Sequence, residues 1–283
     1  MHIKSKNPLR AFAILALILA VCIMCLMCGC QQGEGVIVAG STSVQPYAEV
    51  LEEDYALLHP DSLIDIQGGG SSAGITAVES GTADIGMSSR MLKDEESHLW
   101  SVEIAKDGLA IIIHPDNQVG DLTLEQVRGI YAGDIVNWSE LGGSDARIHV
   151  IAREEGSGTR SAFEDLVMDE DSRITPRAIV QNSNGAVRML VSDDKYAVGF
   201  ISLGLVDHLQ GMKPVKALRL DGVEPSRENV INGTYSLYRP FLFVCDGEPS
   251  GEAKNFIDFV MSPEGQDILV AEGLIPAVEG EVD

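Results

Sequence analysis

Arg153, Ser157 and Thr159 fall in one short run, Arg153-Glu154-Glu155-Gly156-Ser157-Gly158-Thr159. A guanidinium and two hydroxyls punctuated by glycine share one chemistry, which is hydrogen-bond donation to an oxyanion. The run follows Arg147–Ala152, which reads as a β-strand, and precedes Ser161–Met168, which has helical spacing. A strand, a glycine turn and a helix start aim unpaired backbone N–H groups outward, with the positive end of the helix dipole behind them. Gly158 lets the backbone come close to the anion. The plainer reading is a capped helix start, with Arg153 in a surface ion pair to Glu154 or Glu155.

Two further hydroxyl-rich loops favour the anion. Gly40-Ser41-Thr42-Ser43 follows the strand Val36–Ala39, and Gly68-Gly69-Gly70-Ser71-Ser72 follows the strand Leu63–Gln67. Each leads into a helical pattern, so three helix starts can converge on one small ligand. A third strand, Ala83–Met87, exits into Ser88-Ser89-Arg90. In open α/β sheets ligands sit beyond the carboxyl ends of the strands, where all four loops lie. One of Ser71 and Ser72 is expected to serve only as a helix cap. Asn184 opens a later helix, either as its cap or as a ligand contact. Trp138 is expected to pack rather than to stack on a ligand.

Composition narrows the function classes. The 283 residues carry 20 Lys and Arg against 43 Asp and Glu, a formal charge of −23. Such a chain lacks the basic stripe that nucleic acid requires. The six histidines show no metal-ligand spacing, and neither a metal nor another cofactor is expected. Lys4, Lys6 and Arg10 precede an unbroken apolar run to Cys28, the pattern of an export segment over residues 1–29. Residues 30–35 form a polar tether. Gly29-Cys30 resembles a lipoprotein cleavage site with Cys30 as the acylated residue, and an uncleaved membrane anchor is the alternative. Cys22, Cys25, Cys28 and Cys30 sit in or beside this apolar run, which argues against a metal cluster. Cys245 is then the one cysteine left in the domain, expected as a small buried residue.

Strands and helices alternate through the rest, which indicates an α/β fold with largely parallel strands. Helical patterns cover Pro46–His59, Ala73–Ser80, Asp121–Gly133, Glu252–Val260 and Pro263–Glu272. Leu109–His114, Ala197–Ser202 and Tyr238–Val244 read as strands. The order fits a chain that leaves a first lobe and returns to it: 36–113 and 241–283 in one lobe, 114–240 in the other. The two crossings make a hinge, with the ligand in the cleft.

Taken in order, these stretches resemble the phosphate receptors of ABC importers, the PstS type of the class II periplasmic-binding-protein family. The likeness rests on Gly40 to Val44, Gly69 to Gly74, Ala83 to Arg90, Leu122-Thr123 to Asn137-Trp138, Arg153 to Thr159, Asn182 to Gly185 and Ser262 to Gln266. It implies a two-lobed α/β receptor that captures inorganic phosphate and delivers it to a membrane permease, with no chemistry. By that likeness Thr42, Ser43, Ser71, Arg153, Ser157, Gly158 and Thr159 hold the phosphate. The best-known members place an aspartate at the end of the third strand, where this chain has Ser89. A carboxylate there accepts the proton of HPO4(2−), which sulfate lacks. Glu155 is the candidate replacement acceptor, with Ser89 itself or a backbone carbonyl as rivals. Arg90 either adds charge to the site or pairs with a nearby acid. A monomer, exported and held at the membrane face, is the implied form. The alternatives are a receptor for sulfate or molybdate, a phosphoesterase using Ser157 or Ser71 as nucleophile, or a surface signalling or adhesion protein on the same scaffold.

Overall fold

The computed structural model describes residues 35–206 and 213–277. The export segment, most of the tether and Cys30 lie outside the described residues. Among the described residues no helix is long and apolar enough to cross a membrane.

Twelve strands occur in the described chain. They are β1 (Val36–Gly40), β2 (Ile64–Gly68), β3 (Ile85–Ser88), β4 (Trp100–Ile113), β5 (Asp121–Leu122), β6 (His149–Arg153), β7 (Ile179–Gln181), β8 (Ala197–Ser202), β9 (Lys216–Ala217), β10 (Arg219–Leu220), β11 (Tyr238–Cys245) and β12 (Ile275–Pro276). The main sheet runs β2-β1-β3-β11-β4-β8-β6-β7, with β9 and β12 also on β4, while β5 pairs with β10. Its two flanks are parallel: β1 with β2 and β3, and β6 with β7 and β8. The centre is antiparallel, because β11 pairs that way with β3 and β4, and β4 with β8. The sheet is therefore mixed, and less parallel than the alternating pattern implies.

β4 joins the flanks. Residues Trp100 to Gly108 pair with β11, whereas Leu109 to Ile113 pair with β8. Only the second part, Leu109-Ala110-Ile111-Ile112-Ile113, reads as an apolar strand. In the first part Trp100 to Glu103 are half-buried or exposed and Lys106 is half-buried, so it lacks a fully apolar signature.

Helices follow the parallel strands. α1 (Gln45–Leu58) follows β1, α2 (Ser71–Glu79) follows β2, and α3 (Leu124–Ala132) follows β5. α4 (Gly158–Val167) follows β6 and α5 (Asn184–Asp193) follows β7. α6 (Arg227–Ile231), α7 (Gly251–Val260) and α8 (Pro263–Ala271) come later. α1 turns Tyr47, Ala48, Leu51 and Tyr55 inward, near helical spacing, and they pack with Ile85, Phe243 and Phe256. On the other flank, Phe163 of α4 stacks on Phe200 of β8 with centroids 4.2 Å apart. Trp138 is buried beside them in the same cluster, so it packs as expected. Thr123 caps α3, its hydroxyl accepting from the Gln126 amide, and Gly133 ends that helix in the left-handed region. Cys245 is buried, as expected.

Two loop starts depart from expectation. α2 begins at Ser71, ahead of Ala73, which puts Ser71 inside the first turn. α5 is capped by Ser183, whose hydroxyl accepts from the Ala186 amide. Asn184, expected as cap or ligand contact, is thereby released from capping.

Candidate functional site

Four helix starts and one strand exit meet at the carboxyl ends of the strands. β1 needs glycine at its end, because Gly40 sits at φ 143° and a Cβ there would strike the Met87 backbone, 2.9 Å from its nitrogen. The close approach brings the Ser41–Ser43 loop beside Ser89, and Ser41 Oγ donates to Ser89 Oγ at 2.9 Å. Ser71 Oγ accepts from the Ser89 amide at 3.1 Å and lies 3.4 Å from Ser89 Oγ. Ser41, Ser43, Ser71, Ser88 and Ser89 are all buried.

From the other flank β6 delivers Arg153, which is 1 % exposed. Its Nη1 donates to Thr159 Oγ1 at 3.4 Å and its Nη2 to Thr42 Oγ1 at 3.2 Å. Nε and Nη2 grip the Glu154 carboxylate at 2.9 and 3.0 Å. Arg153 thus has an acid partner, but it is buried rather than at the surface, and its fork spans both flanks. Ser157 caps α4, its hydroxyl accepting from the Arg160 amide at 3.3 Å, while its own hydrogen remains free to donate. Gly158 is pressed against the opposite flank. A Cβ there would clash with Ser71 Oγ and come within 2.6 Å of Ser89 Oγ.

The hydroxyls have a fixed direction. Ser43 Oγ accepts from Asn184 Nδ2 at 2.8 Å and from Arg239 Nη2 at 3.0 Å. A hydroxyl offers two lone pairs, so Ser43 must donate its hydrogen onward to Thr159 Oγ1, 2.8 Å away. Thr159 then accepts from Ser43 and Arg153, and its own O–H points out as a donor. The Asn184 amide is oriented by Ser202, whose backbone N–H donates to Oδ1 at 3.3 Å.

Thr42, Ser43, Ser71, Ser89, Arg153, Ser157, Gly158, Thr159 and Asn184 are therefore brought together. Glu155 is not. It is exposed, and Glu154 is the carboxylate that faces Arg153, so the candidate acceptor is corrected. Arg90 pairs with an acid: Nη1 and Nη2 each donate to Glu96 at 2.7 Å, and Nη2 also reaches Ser72 Oγ at 3.3 Å. Burial alone would raise the Glu96 carboxyl, but the bonds and charge of Arg90 and the Lys93 amide hold it below the usual range. Stability from this depressed group is present above its ordinary titration range and is lost as the pH falls through its lowered one. Glu96→Gln is expected to cost about 3 kcal/mol in urea unfolding at neutral pH, and the gap from wild type should narrow on acidification. A constant gap down to acid pH would show that the carboxylate charge is not what holds Arg90.

Two site residues carried no motif. Arg239 on β11 and Asp107 on β4 are buried, 2 % and 1 % exposed, and paired at 3.1 Å. Burial pushes Asp107 up and Arg239 down, and their mutual attraction opposes both shifts. Ser202 Oγ adds a bond to Asp107 at 2.9 Å. The one available signal was a charged residue at the head of an apolar strand, Tyr238-Arg239-Pro240-Phe241-Leu242.

A continuous α/β sheet with donors from both flanks closing on one point defines a ligand-binding protein for a small oxyanion. Known proteins agree. The model of the PBP superfamily domain matches residues 30–264. The phosphate-binding protein PstS of Bacillus subtilis is 30% identical over 250 residues, covering 87% of this chain and 81% of that protein. A candidate phosphate ABC transporter substrate-binding protein of Clostridium perfringens, solved with bound phosphate, is 45% identical at a TM-score of 0.82, covering 87% of this chain and 100% of that one. An ABC-type phosphate transport receptor of Vibrio cholerae is 41% identical at a TM-score of 0.69, covering 85% and 99%. The chain belongs to the PBP superfamily, in the family of PstS-type phosphate-binding proteins.

Proposed function

We propose that this chain captures inorganic phosphate between the two flanks of its sheet and hands it to the permease of an ABC importer, making and breaking no bond. The observation that carries this reading is the ring of donors drawn from both flanks, closed by Arg153 across Thr42 and Thr159. Thr42, Ser71, Ser89, Arg153, Ser157, Gly158 and Thr159 form the proposed phosphate contacts; Ser43, expected among them, acts here through Thr159, to which it donates, and Asn184 orders Ser43. The hydroxyls proposed as nucleophiles in the enzyme alternative, Ser157 and Ser71, accept from the Arg160 and Ser89 amides; neither bond is to a general base.

The lobes proposed are 36–113 with 241–283, and 114–240. The partner change at Gly108/Leu109 in β4 supports a crossing in that strand, slightly earlier than Ile113. Export by residues 1–29, a tether over 30–35, lipid attachment at Cys30 or an uncleaved N-terminal anchor, and a monomer at the extracytoplasmic face of the cell membrane complete the proposal.

Ser89 in place of a carboxylate keeps sulfate and molybdate as competing ligands. Phosphate is expected to raise the melting temperature with the logarithm of its concentration, as a ligand bound only by the folded state must. At a hundredfold excess over Kd the stabilisation is about 2.7 kcal/mol. A rise with sulfate or molybdate but none with phosphate would retain the receptor and change its cargo. No rise with any oxyanion would favour the signalling or adhesion alternative.

A further inference from the structure

Arg239 is bound on three sides. Nε and Nη2 donate to Asp107 Oδ2 at 3.2 and 3.1 Å, Nη2 also donates to Ser43 Oγ at 3.0 Å, and the guanidinium carbon lies 5.5 Å from the Phe241 ring centroid. Its remaining nitrogen, Nη1, is fully buried and has no hydrogen-bond partner. A buried guanidinium N–H left without an acceptor is costly, and such groups are rare unless something satisfies them. The Asp107 carboxylate takes one edge of the guanidinium, so Nη1 lies toward the other edge. That edge adjoins Ser43, whose hydroxyl leads to Thr159 and Arg153.

We infer that Arg239 is a second guanidinium of the anion site, donating from Nη1 to the bound oxyanion while Nη2 fixes the Ser43 hydroxyl. This rests on the proposed binding of phosphate at Arg153 and Thr159. Asp107 is a positioning residue: it holds Nε and Nη2, leaving Nη1 as the donor left over. Because Arg239 stands on β11 and Asp107 on β4, the strands that join the two flanks, the anion is tied to the centre of the sheet as well as to its edges.

The test is phosphate titration of wild type and of the double variant Arg239→Gln/Asp107→Asn, which removes both buried charges together so that neither is left unpaired. Wild type must bind phosphate, and its silence would sink the phosphate reading before the inference is reached. With wild type binding, the double variant is expected to lose about a hundredfold in affinity at a nearly unchanged ligand-free melting temperature. The same substitutions are then placed on Ser43→Ala. A loss that persists there marks direct contact, whereas a loss that vanishes shows that Arg239 acts only through Ser43 and overturns the inference. A Kd within threefold of wild type overturns it as well. An arm independent of folding uses nitrogen-15 arginine spectra of wild type. Phosphate should protect the Arg239 Nη1 hydrogens from exchange and shift their resonance, and an unmoved Arg239 signal at saturating phosphate would contradict the contact.

Discussion

Arg153→Ala is expected to abolish practical phosphate binding, raising Kd by two to three orders of magnitude. Among the described residues, Arg153 is the one side chain that reaches Thr42 on one flank and Thr159 on the other, and it does so from a buried position. Its removal takes away a charged fork and leaves the anion and the Glu154 carboxylate facing each other. Breaking a buried charge pair from one side costs about 3–5 kcal/mol, which is the basis of the expected factor. Arg153→Lys should fall between, since it keeps the charge and loses the planar fork. Glu154 is partly exposed, so water can satisfy it in the variant and the ligand-free fold should survive. Titration calorimetry on both variants checks the series. An Arg153→Ala protein that binds within threefold of wild type would mean the anion sits elsewhere.

Gly158→Ala is expected to act on closure and not on folding. Gly158 opens α4 in ordinary helical geometry, where alanine is the better helix former. Its cost arises across the cleft, because the added methyl meets Ser71 Oγ and Ser89 Oγ on the other flank. Those hydroxyls sit on short side chains held by the Ser41 hydroxyl and the Ser89 amide, so they yield little. The backbone bond from the Ser72 amide to the Gly156 carbonyl, 3.0 Å in this structure, lies beside the clash and should open with it. Overpacking of this kind costs about 1–3 kcal/mol, here charged to the closed state alone. The expected result is a ligand-free melting temperature equal to wild type or higher, with phosphate affinity lower by about a hundredfold. Small-angle scattering should show a larger radius with phosphate than the wild-type complex. Wild-type affinity in this variant would mean that the two flanks do not close on each other around the ligand.

Much of this site was visible in the chain because its parts obey local rules. A β-strand followed by glycine and hydroxyls, then a helical pattern, describes Ser41–Ser43, Ser71 and Ser157–Thr159, and those residues do converge. The choice between neighbours was not visible. Glu154 and Glu155 differ only in which way a residue leaves β6, and strand register decided for Glu154. Arg90 likewise had two open roles until the fold placed Glu96 against it. Asp107 and Arg239 were hidden for a different reason. They lie far apart in sequence, each within a strand, and only the β4–β11 pairing brings them together. The antiparallel centre was obscured in the same way, since helices and strands alternate whether the chain crosses the sheet once or returns through it.

The most direct measurement is calorimetric titration of the domain beginning at Val36, unfolded and refolded to strip carried-over ligand, with phosphate and then with sulfate. The structure predicts one-to-one phosphate binding that is lost in Arg153→Ala. Heat from sulfate alone, or no heat from either anion, would contradict capture of phosphate at the Arg153 cradle.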